Sequence, residues 1–379
     1  MNSSKISDIK KEDLNPNKSE VKLENIKSNF FLKILFALLP KKVSLGTIKY
    51  NKKMKHRVNI NMKDYKEYCE FYSPIEIELI PAENEFGKII NIIDKGLKPY
   101  YHIYLNDSKK DFKKFFIKEK VSKIKIVIDH QIKSIYQLFE DCTCIESIIF
   151  KYFHRVDITD LSLLFNGCIN LKSINFSSII TNNVTDMSCM FSRCVSLIKI
   201  NLSNFNTDNL ININCMFNNC VSLNEVNLSS FNTEKVDDMS GMFYGCESLK
   251  EINIANFNTN NVTNMRNMFS GCSSLEKINI SNFNTSNVID MSRMFWDCSA
   301  LKKLDLSFFN TDKVKNMSYM FFECKSLMDL NISGFNTMKK IQADSMFSEC
   351  PDELIIKIKD KYIKKENINI ISLINNYEN

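Results

Sequence analysis

Two hydrophobic patterns follow each other along the chain, and the first covers its front third. Apolar residues at helical spacing occupy residues 29 to about 68, and strict alternation in IEIELI, YYHIYL and KIKIVI predicts short strands between about 74 and 128. The intervening DFKKFFIKEK predicts a helix, and the polar, unpatterned residues 1–28 predict a disordered tail. Residues 29–128 are therefore expected to form a small α/β domain or an N-terminal cap.

The second pattern is a repeat of 26 residues. Phe stands three residues before each repeating cysteine, Leu three residues after most of them, and a Phe-Asn-Thr triplet recurs in the same register. A constant period of this size indicates a solenoid, in which each unit buries its apolar face only by stacking on its neighbours. The cysteines that carry the period are Cys142, Cys168, Cys194, Cys220, Cys246, Cys272, Cys298, Cys324 and Cys350.

Each unit divides into two halves. Leu197, Ile200, Leu202 and Phe205 follow the L-x-x-L-x-L spacing of leucine-rich repeats, which predicts a strand with alternate side chains inward. Val-x-x-Met-x-x-Met-Phe-x-x-Cys, as at 236–246, switches to helical spacing. Residues predicted to cap these short helices are Asp186, Asp238, Asn264, Asp290 and Asn316, and residues predicted to end them in the left-handed conformation are Gly167, Gly245 and Gly271.

The predicted fold is therefore an α/β leucine-rich-repeat-type solenoid over residues 129–350, with a parallel sheet on one face and short helices on the other. Stacked units leave an open end that needs a cover. Residues 351–379 depart from the repeat and contain IIKIK, which predicts a strand in a C-terminal cap.

The repeat string D-M-S-x-M-F-x-x-C-x-S-L-x-x-I-N-L-S-x-F-N-T, present from Asp238, resembles the BspA-like leucine-rich-repeat surface protein family over about residues 130–350. The resemblance implies a recognition or adhesion role at a cell surface. Separately, Leu38-Leu39-Pro40 and the amphipathic stretch after it resemble the F-box of ubiquitin-ligase adaptors. That second resemblance implies an intracellular adaptor that presents the repeat as its partner-binding module.

Charge and hydropathy narrow the setting. Residues 1–141 hold 28 basic against 19 acidic side chains, but the two signs are interspersed, which is typical of a solvated surface rather than a nucleic-acid site. The longest apolar run, Phe30 to Leu39, is about half the roughly 20 residues that a transmembrane helix needs. Without a recognisable signal peptide the chain is expected in the cytoplasm, and the cell surface implied by the resemblance is the alternative.

Cysteine, methionine and histidine do not form a chemical site by their spacing. Cysteines at identical positions in stacked units point the same way, so they are expected to be reduced, buried core residues rather than disulfides. The four histidines do not combine with them at zinc-ligand spacing, and no metal or cofactor is expected. Glycine-rich phosphate loops, nucleophile elbows and HExxH are absent, so an enzyme is the outsider among the functions.

Candidate binding residues lie where the repeat varies. Five residues after each cysteine a mixed-charge stripe crosses the expected concave sheet, and it suits a specificity surface and a solubilising face equally well. Two residues before the cysteine, three units carry an aromatic side chain that binds a partner or packs between neighbouring units. The candidates are the stripe residues Lys199, Glu225, Glu251, Lys277, Lys303 and Asp329, the aromatic residues Tyr244, Trp296 and Phe322, and Phe308 as a lesser one.

The function that these patterns favour is non-catalytic protein recognition or adhesion through the surfaces of the repeat, with a protein of unknown identity as the partner. The intracellular adaptor is the alternative.

Overall fold

A computed structural model of the 379-residue chain describes residues 27–38, 51–58, 74–130, 132–153, 157–335 and 341–363. The chain divides into two compact units, residues 1–72 and 73–379. The elements are, in chain order, α1 (Asn29–Leu38), α2 (Lys52–Val58), β1 (Ile75–Pro81), β2 (Gly87–Lys88), a 3-10 helix (Lys95–Tyr100), β3 (Tyr101–Leu105), β4 (Phe116–Ile117), β5 (Ile124–Ile128), β6 (Ile145–Tyr152), β7 (Ser173–Asn175), β8 (Lys199–Asn201), β9 (Glu225–Asn227), β10 (Lys303–Asp305), β11 (Asp329–Asn331) and α3 (Asp352–Ile363).

The described part of the first unit is a pair of helices, as the helical spacing over residues 29–68 predicts. Leu32 of α1 and Met54 of α2 are buried, and the Asn51 side chain accepts a hydrogen bond from the Met54 N–H at 2.9 Å, which caps the start of α2. Arg57 donates to the Asn29 side chain at 2.8 Å and so links α2 to α1. The predicted tail lies almost wholly outside the described residues, and so does Pro40 of the F-box-like segment.

The second unit begins with a five-stranded sheet in the order β3-β5-β1-β6-β7. β1, β3 and β5 are the three alternating segments, and they pair antiparallel, as the alternation predicts. The helix predicted over residues 111–120 is wrong. That segment is extended and contains β4, because the Asp111 side chain accepts from the Ile103 N–H and Ile117 is buried against the sheet.

The sheet runs directly into the repeat. β6 pairs antiparallel with β1 on one side and parallel with β7 on the other, in the register Ser147 to Ser173. These partners are 26 residues apart, so β6 already has the spacing of a repeat unit. The domain boundary predicted at residue 128 falls inside this continuous sheet, and the domain limits stay predictions.

The strand half of the repeat matches its prediction in part, because residues 251–253 and 277–279 form no strand. β8 pairs parallel with β9, and β10 with β11, each to its counterpart one period later. The L-x-x-L-x-L side chains are buried, as Leu197 and Leu202 illustrate with no exposed area. Alternate side chains point into the core and into solvent, as a half-buried strand requires.

The helix predicted for the other half is wrong, because these residues form a ribbon of turns. Between residues 129 and 350 the described chain contains no helix. Alternate N–H groups bond to the next unit, as Phe191 does to the Met216 carbonyl at 2.9 Å, and those between them bond three residues back within the unit. In an α-helix every N–H would instead bond four residues back along the same segment.

Two residues of each unit take the left-handed conformation that breaks a helix. They stand five residues and one residue before the repeating cysteine, with φ between +51° and +73° in every unit from Gln137 to Glu349. The left-handed conformation predicted for Gly167, Gly245 and Gly271 is confirmed, although each residue closes a turn rather than a helix. Other units place Arg, Tyr, Cys, Asp or Glu at these positions, where L side chains are costly.

Asparagine and aspartate side chains make three corners in a unit. At each corner a side-chain oxygen accepts the N–H two residues ahead, as Asp186 does from Ser188 at 2.8 Å, Asn201 from Ser203 at 3.0 Å and Asn206 from Asp208 at 3.1 Å. The predicted caps therefore accept backbone N–H groups as expected, but they cap turns. The chain has only eight glycines, too few for all the turns of the repeat, and asparagine forms most of these turns instead.

The interior is a ladder of identical side chains. From Phe139 to Phe347, consecutive phenyl rings stack at 5.4–6.0 Å with planes within 16° of parallel. From Cys168 to Cys350, each repeating thiol lies 3.0–3.2 Å from the carbonyl of the Phe 29 residues earlier. Burial raises the pKa of these thiols, to about 12 at Cys220, so they stay protonated donors.

Two cysteines outside this ladder lie nearer the surface, next to each other. Cys189 and Cys215 occupy the same left-handed position in neighbouring units, and both are only partly buried. A hydrogen bond from Cys189 lowers the pKa of Cys215 although burial opposes it, and the same contact raises the pKa of Cys189. One proton of the pair is therefore lost more easily than that of an isolated thiol.

Buried threonines, one in each Phe-Asn-Thr triplet, form a third ladder that links neighbouring units. The Thr259 hydroxyl donates to the Asn284 carbonyl at 3.0 Å and accepts the N–H of the same residue at 2.7 Å. Thr207, Thr233 and Thr285 make the same double contact with the unit that follows. The Phe-Asn-Thr triplet thus supplies a corner and a bridge between units.

The strand predicted at IIKIK is wrong, because these residues lie in α3. Leu354, Ile355 and Ile358 are buried, which is one face of a helix. Asp352 and Glu353 in the first turn and Lys361 in the last complement the helix dipole, and the Lys357 ammonium lies 2.7 Å from the Glu353 carboxylate. These end charges outweigh the short apolar alternation.

The threonine ladder predicts a large effect for a small change. Replacing Thr259→Val removes the hydroxyl and leaves the buried Asn284 N–H without its acceptor, which costs about 1–3 kcal/mol. The free energy of unfolding from urea titration should fall by that amount. Thr263→Val is the matched control, because Thr263 is exposed and water can replace the 3.3 Å bond that its hydroxyl donates to the Asp237 carbonyl. It should change the free energy by less than about 0.5 kcal/mol. Equal effects of the two would contradict the bridging role.

Burial predicts which thiols react in the folded chain. In a Cys69→Ser background, iodoacetamide near neutral pH should modify the Cys189–Cys215 pair and leave the ladder cysteines untouched until urea unfolds the protein. Peptide mass spectrometry locates the label. Cys189→Ala should slow labelling of Cys215 below its wild-type rate, since the hydrogen bond that lowers the pKa of Cys215 is gone. Fast labelling of Cys246 in the native protein would refute the buried ladder.

Candidate functional site

The predicted charged stripe lies on one exposed face of the repeat. Lys199 is in register with Glu225 and Lys303 with Asp329 on adjacent parallel strands. Glu251 and Lys277, between those pairs, are likewise exposed. The structure therefore places all six stripe residues in one row, one residue per unit.

Neighbouring charges within the row pair weakly. The Lys277 ammonium lies 2.6 Å from the Glu251 carboxylate, which raises the pKa of Lys277, and Lys303 lies 3.9 Å from Asp329. All four of these side chains are at least 65% exposed, and exposed ion pairs add little to stability. Among the described residues, these ion pairs leave the side chains of the row largely exposed.

A second exposed row runs beside the stripe, four residues after each cysteine, and the sequence analysis missed it. It contains Lys172, Ile198, Asn224, Lys250, Glu276, Lys302 and Met328. Ile198 is 50% and Met328 38% exposed, although both are large and apolar. Leucine-rich-repeat spacing singles out only the inward position before this row, so no periodic signal marks it.

The turn face carries a cluster of Arg293, Trp296, Tyr319 and Phe322, named here the Arg293 cluster. Its members come from two neighbouring units, and all four are half-buried. Trp296 and Phe322 meet edge to face at 5.7 Å, and Tyr319 contacts Phe322 at 5.7 Å. The Arg293 guanidinium lies over the rings of Trp296 at 5.0 Å and Tyr319 at 5.2 Å. Arginine against aromatic rings on a surface is a common anchor in protein interfaces.

The structure brings together only two of the three predicted aromatic residues. Tyr244 lies two units before Trp296, and the buried Ser270 occupies the equivalent position between them. Tyr319 and Arg293, which complete the cluster, were not predicted. Both stand at the left-handed position five residues before the cysteine, which the helix interpretation treated as an ordinary helical residue.

Phe308 departs from its unit in two ways. It is 37% exposed and packs edge to face on Phe309 at 5.4 Å. At the equivalent position Asn256 donates to the Leu228 and Phe231 carbonyls of the preceding unit, a link that a phenyl ring cannot make. The sequence thus gives up a bridge between units here and gains an exposed ring.

His102, on β3 of the N-terminal sheet, contacts a carboxylate with each of its two ring nitrogens. Its Nδ1 lies 2.9 Å from Asp111 and its Nε2 3.3 Å from Asp129, and the hydrogen bond to Asp111 raises its pKa above the ordinary value. Both ring nitrogens are occupied by carboxylates that tie β3 to the segments after it. The arrangement holds the sheet edge together and offers no vacant nitrogen to a substrate.

Two surface clefts lie in the same region. One, of about 480 Å³, is lined by apolar residues such as Leu97 and Ile135, and the other, of about 500 Å³, surrounds Phe116. In the first, Asp94 caps the 3-10 helix and His130 stacks on Tyr100. Within the described ranges, no three histidine, cysteine, aspartate or glutamate side chains converge as a metal site would require.

No helix formed by the described residues is long and apolar enough to span a lipid bilayer.

Comparisons with known proteins place the repeat in a family. No curated protein sequence matches the chain. Among solved structures, the T. pallidum leucine rich repeat protein TpLRR is 19% identical with a TM-score of 0.33, over 57% of this chain and 88% of that one. The TLR13–ssRNA13 complex is 12% identical with a TM-score of 0.25, over 54% and 35%.

A family model described as "Mycoplasma protein of unknown function, DUF285" matches residues 133–253 and again 247–355. The two matches fall on the cysteine-spaced repeat and together span more than half of the chain. The protein therefore belongs to the DUF285 family.

Proposed function

We propose that the chain is a non-catalytic solenoid that binds another protein through the outward residues of its repeat. The single observation that carries this proposal is the Arg293 cluster, in which an arginine and three aromatic side chains from two units meet at the surface. Trp, Tyr and Arg are the side chains that most often dominate binding energy at protein interfaces. Apart from Leu163 and Tyr244, the other units carry small or polar residues at these positions.

The division of labour within a unit supports the same proposal. The Phe, Cys, Met and Thr residues that recur in each unit pack between neighbouring units and have almost no exposed area. Variation is left to the stripe, the row beside it and the turn face. A scaffold that is constant inside and variable outside is the usual arrangement of repeat proteins that bind partners.

Recognition at a cell surface and recognition by an intracellular adaptor are two settings for this activity. The BspA-like resemblance favours adhesion. The reduced, buried cysteines favour a reducing compartment, and with it the adaptor. Binding through the Arg293 cluster is common to both.

The Arg293 cluster predicts which truncations abolish binding. A partner is first captured by cross-linking to the full chain and identified by mass spectrometry, and its Kd is then measured against each variant. Trp296→Ala with Phe322→Ala should weaken binding by roughly thirtyfold or more, since one lost hot spot costs about 2 kcal/mol. Tyr244→Ala is the matched control, because it truncates an aromatic residue at the same repeat position outside the cluster. Wild-type affinity of the double variant would remove the cluster from the proposal.

Protease added to intact cells distinguishes the two settings. Because the sequence predicts a cytoplasmic chain, we expect the repeat to resist cleavage until the cells are lysed. Immunoblotting with an antibody to the repeat reports the outcome, and a protein of known cytoplasmic location serves as the control. Cleavage of the repeat in unbroken cells would instead establish the adhesion setting and exclude the adaptor.

A further inference from the structure

The charge order of the stripe has a symmetry that the repeat does not require. From Lys199 to Asp329 the signs are plus, minus, minus, plus, plus, minus. Read in the opposite direction, every sign is inverted. A row with this property is complementary to an identical row that runs the other way.

The same order is unfavourable within one chain. Glu225 and Glu251 are neighbours in the row, and so are Lys277 and Lys303, so two like-charged pairs stand side by side at its centre. Like charges opposite each other on adjacent strands destabilise a sheet. The pairing of Lys277 with Glu251 at 2.6 Å offsets only one of these contacts. The centre of the row therefore presents two acids followed by two lysines to solvent.

We propose that this face binds a second copy of the chain, antiparallel, about a two-fold axis that passes between Glu251 and Lys277. Each Glu251 then faces Lys277 of the other copy, and each Glu225 faces Lys303. The outer residues Lys199 and Asp329 face each other in the same way. Such an interface is isologous, with every contact made twice. The inference rests on the proposed function, because it names the partner of the charged stripe.

The row beside the stripe obeys the same two-fold relation. The axis places Lys250 opposite Glu276, which have opposite charges. It also places Ile198 opposite Met328, the two large apolar residues that are exposed in this row. Those two side chains would cover each other at both ends of the contact. Asn224 falls opposite Lys302, which is a neutral contact, so two of the three pairs in this row favour the orientation and register that the stripe favours.

Backbone hydrogen bonds hold neighbouring units together at several points of this face. Leu202 N–H bonds to the Asn227 carbonyl and Glu276 N–H to the Lys250 carbonyl, both at 3.0 Å. The outward residues of neighbouring units therefore follow one another at a regular spacing along the row.

The size of the contact predicts a weak dimer. Six units have five intervals of about 4.8 Å, which makes the row about 24 Å long. A three-residue strand and the residue before it are about 13 Å wide, so each copy contributes about 300 Å². Interfaces of this size belong to transient complexes. Exposed charge pairs are also screened by salt. The dimer should form at low ionic strength and high concentration.

Sedimentation of the full chain tests the proposal. At about 100 µM protein and about 50 mM salt the weight-average mass should approach twice that of the chain, and at about 500 mM salt it should return to the monomer value. A wild-type chain that remains monomeric at low salt would overturn the proposal.

Charge reversal tests the register. The basic variant Glu225→Lys with Glu251→Lys places four lysines at the centre, and the acidic variant Lys277→Glu with Lys303→Glu places four glutamates there. Each variant alone should be monomeric, because identical charges meet across the axis. An equal mixture should restore the dimer, because each lysine then faces a glutamate. A mixture that stays monomeric would overturn the antiparallel register.

Two controls separate this result from trivial ones. Glu234→Lys with Asp237→Lys makes the same change in net charge at exposed positions outside the two rows, and it should dimerise like the wild type. Restoration by mixing itself shows that both variants are folded. The Trp296→Ala and Phe322→Ala double variant should still dimerise, so loss of self-association and loss of partner binding at the Arg293 cluster are distinguishable.

Discussion

The backbone hydrogen bonds between successive units are the constraint on which the rest of the structure depends. In the turn half, the Phe191 N–H bonds to the Met216 carbonyl 25 residues later, and every second residue along the ribbon does the same. A donor meets its acceptor only if every unit has the same number of residues. An insertion inside one unit would shift all later partners and leave buried polar groups unpaired, which costs about 1–3 kcal/mol for each group. The strict 26-residue period follows from this requirement rather than from any single side chain.

The ladders inside the stack are a consequence of the same register. Once equivalent residues are held one above another, a flat ring such as Phe217 finds an identical ring above and below it. A thiol such as Cys246 reaches the Phe217 carbonyl of the unit before it, and so satisfies an acceptor that faces the core. Stacking of like on like costs least for neutral groups, whereas equivalent charges such as Asp160 and Asp186, or Glu225 and Glu251, repel each other. At the corner before the turn ribbon, where side chains are ionisable, the sequence alternates Asp186, Asn212, Asp238 and Asn264, and the amides donate to the carboxylates of the preceding unit.

The period, the buried residues and strands β1, β3 and β5 could be predicted from the sequence, because each follows from a clear pattern of apolar residues. The turn ribbon could not. Val236, Met239, Met242 and Phe243 are all buried, as a helix would have them, since turns and a helix share a spacing of three to four residues. What distinguishes them is the left-handed conformation, which is occupied by Arg293 and Tyr319 as well as by glycine and therefore leaves no mark on the sequence. The same error concealed half of the Arg293 cluster, because partners five residues before a cysteine were assigned to the wrong geometry.

Equivalent stacked units are related by translation. If their outward residues were also identical, a partner could bind in either direction and at any position along the row. The backbone of each unit presents its outward position in the same way, so the order of side chains along the row is the only variable that carries such information. A uniform row of one charge would bind any opposite charge in either direction. The row here changes sign three times, and its like-charged centre is a cost that stability alone does not explain. Any mixture of charges would keep the face soluble. In this row, however, each charge is opposite in sign to the charge at the same distance from the other end. Glu251 and Lys277 also pair within the chain, but Lys199 and Asp329 lie at opposite ends of the row, and the proposed two-fold interface is the arrangement that brings residues of these two kinds together.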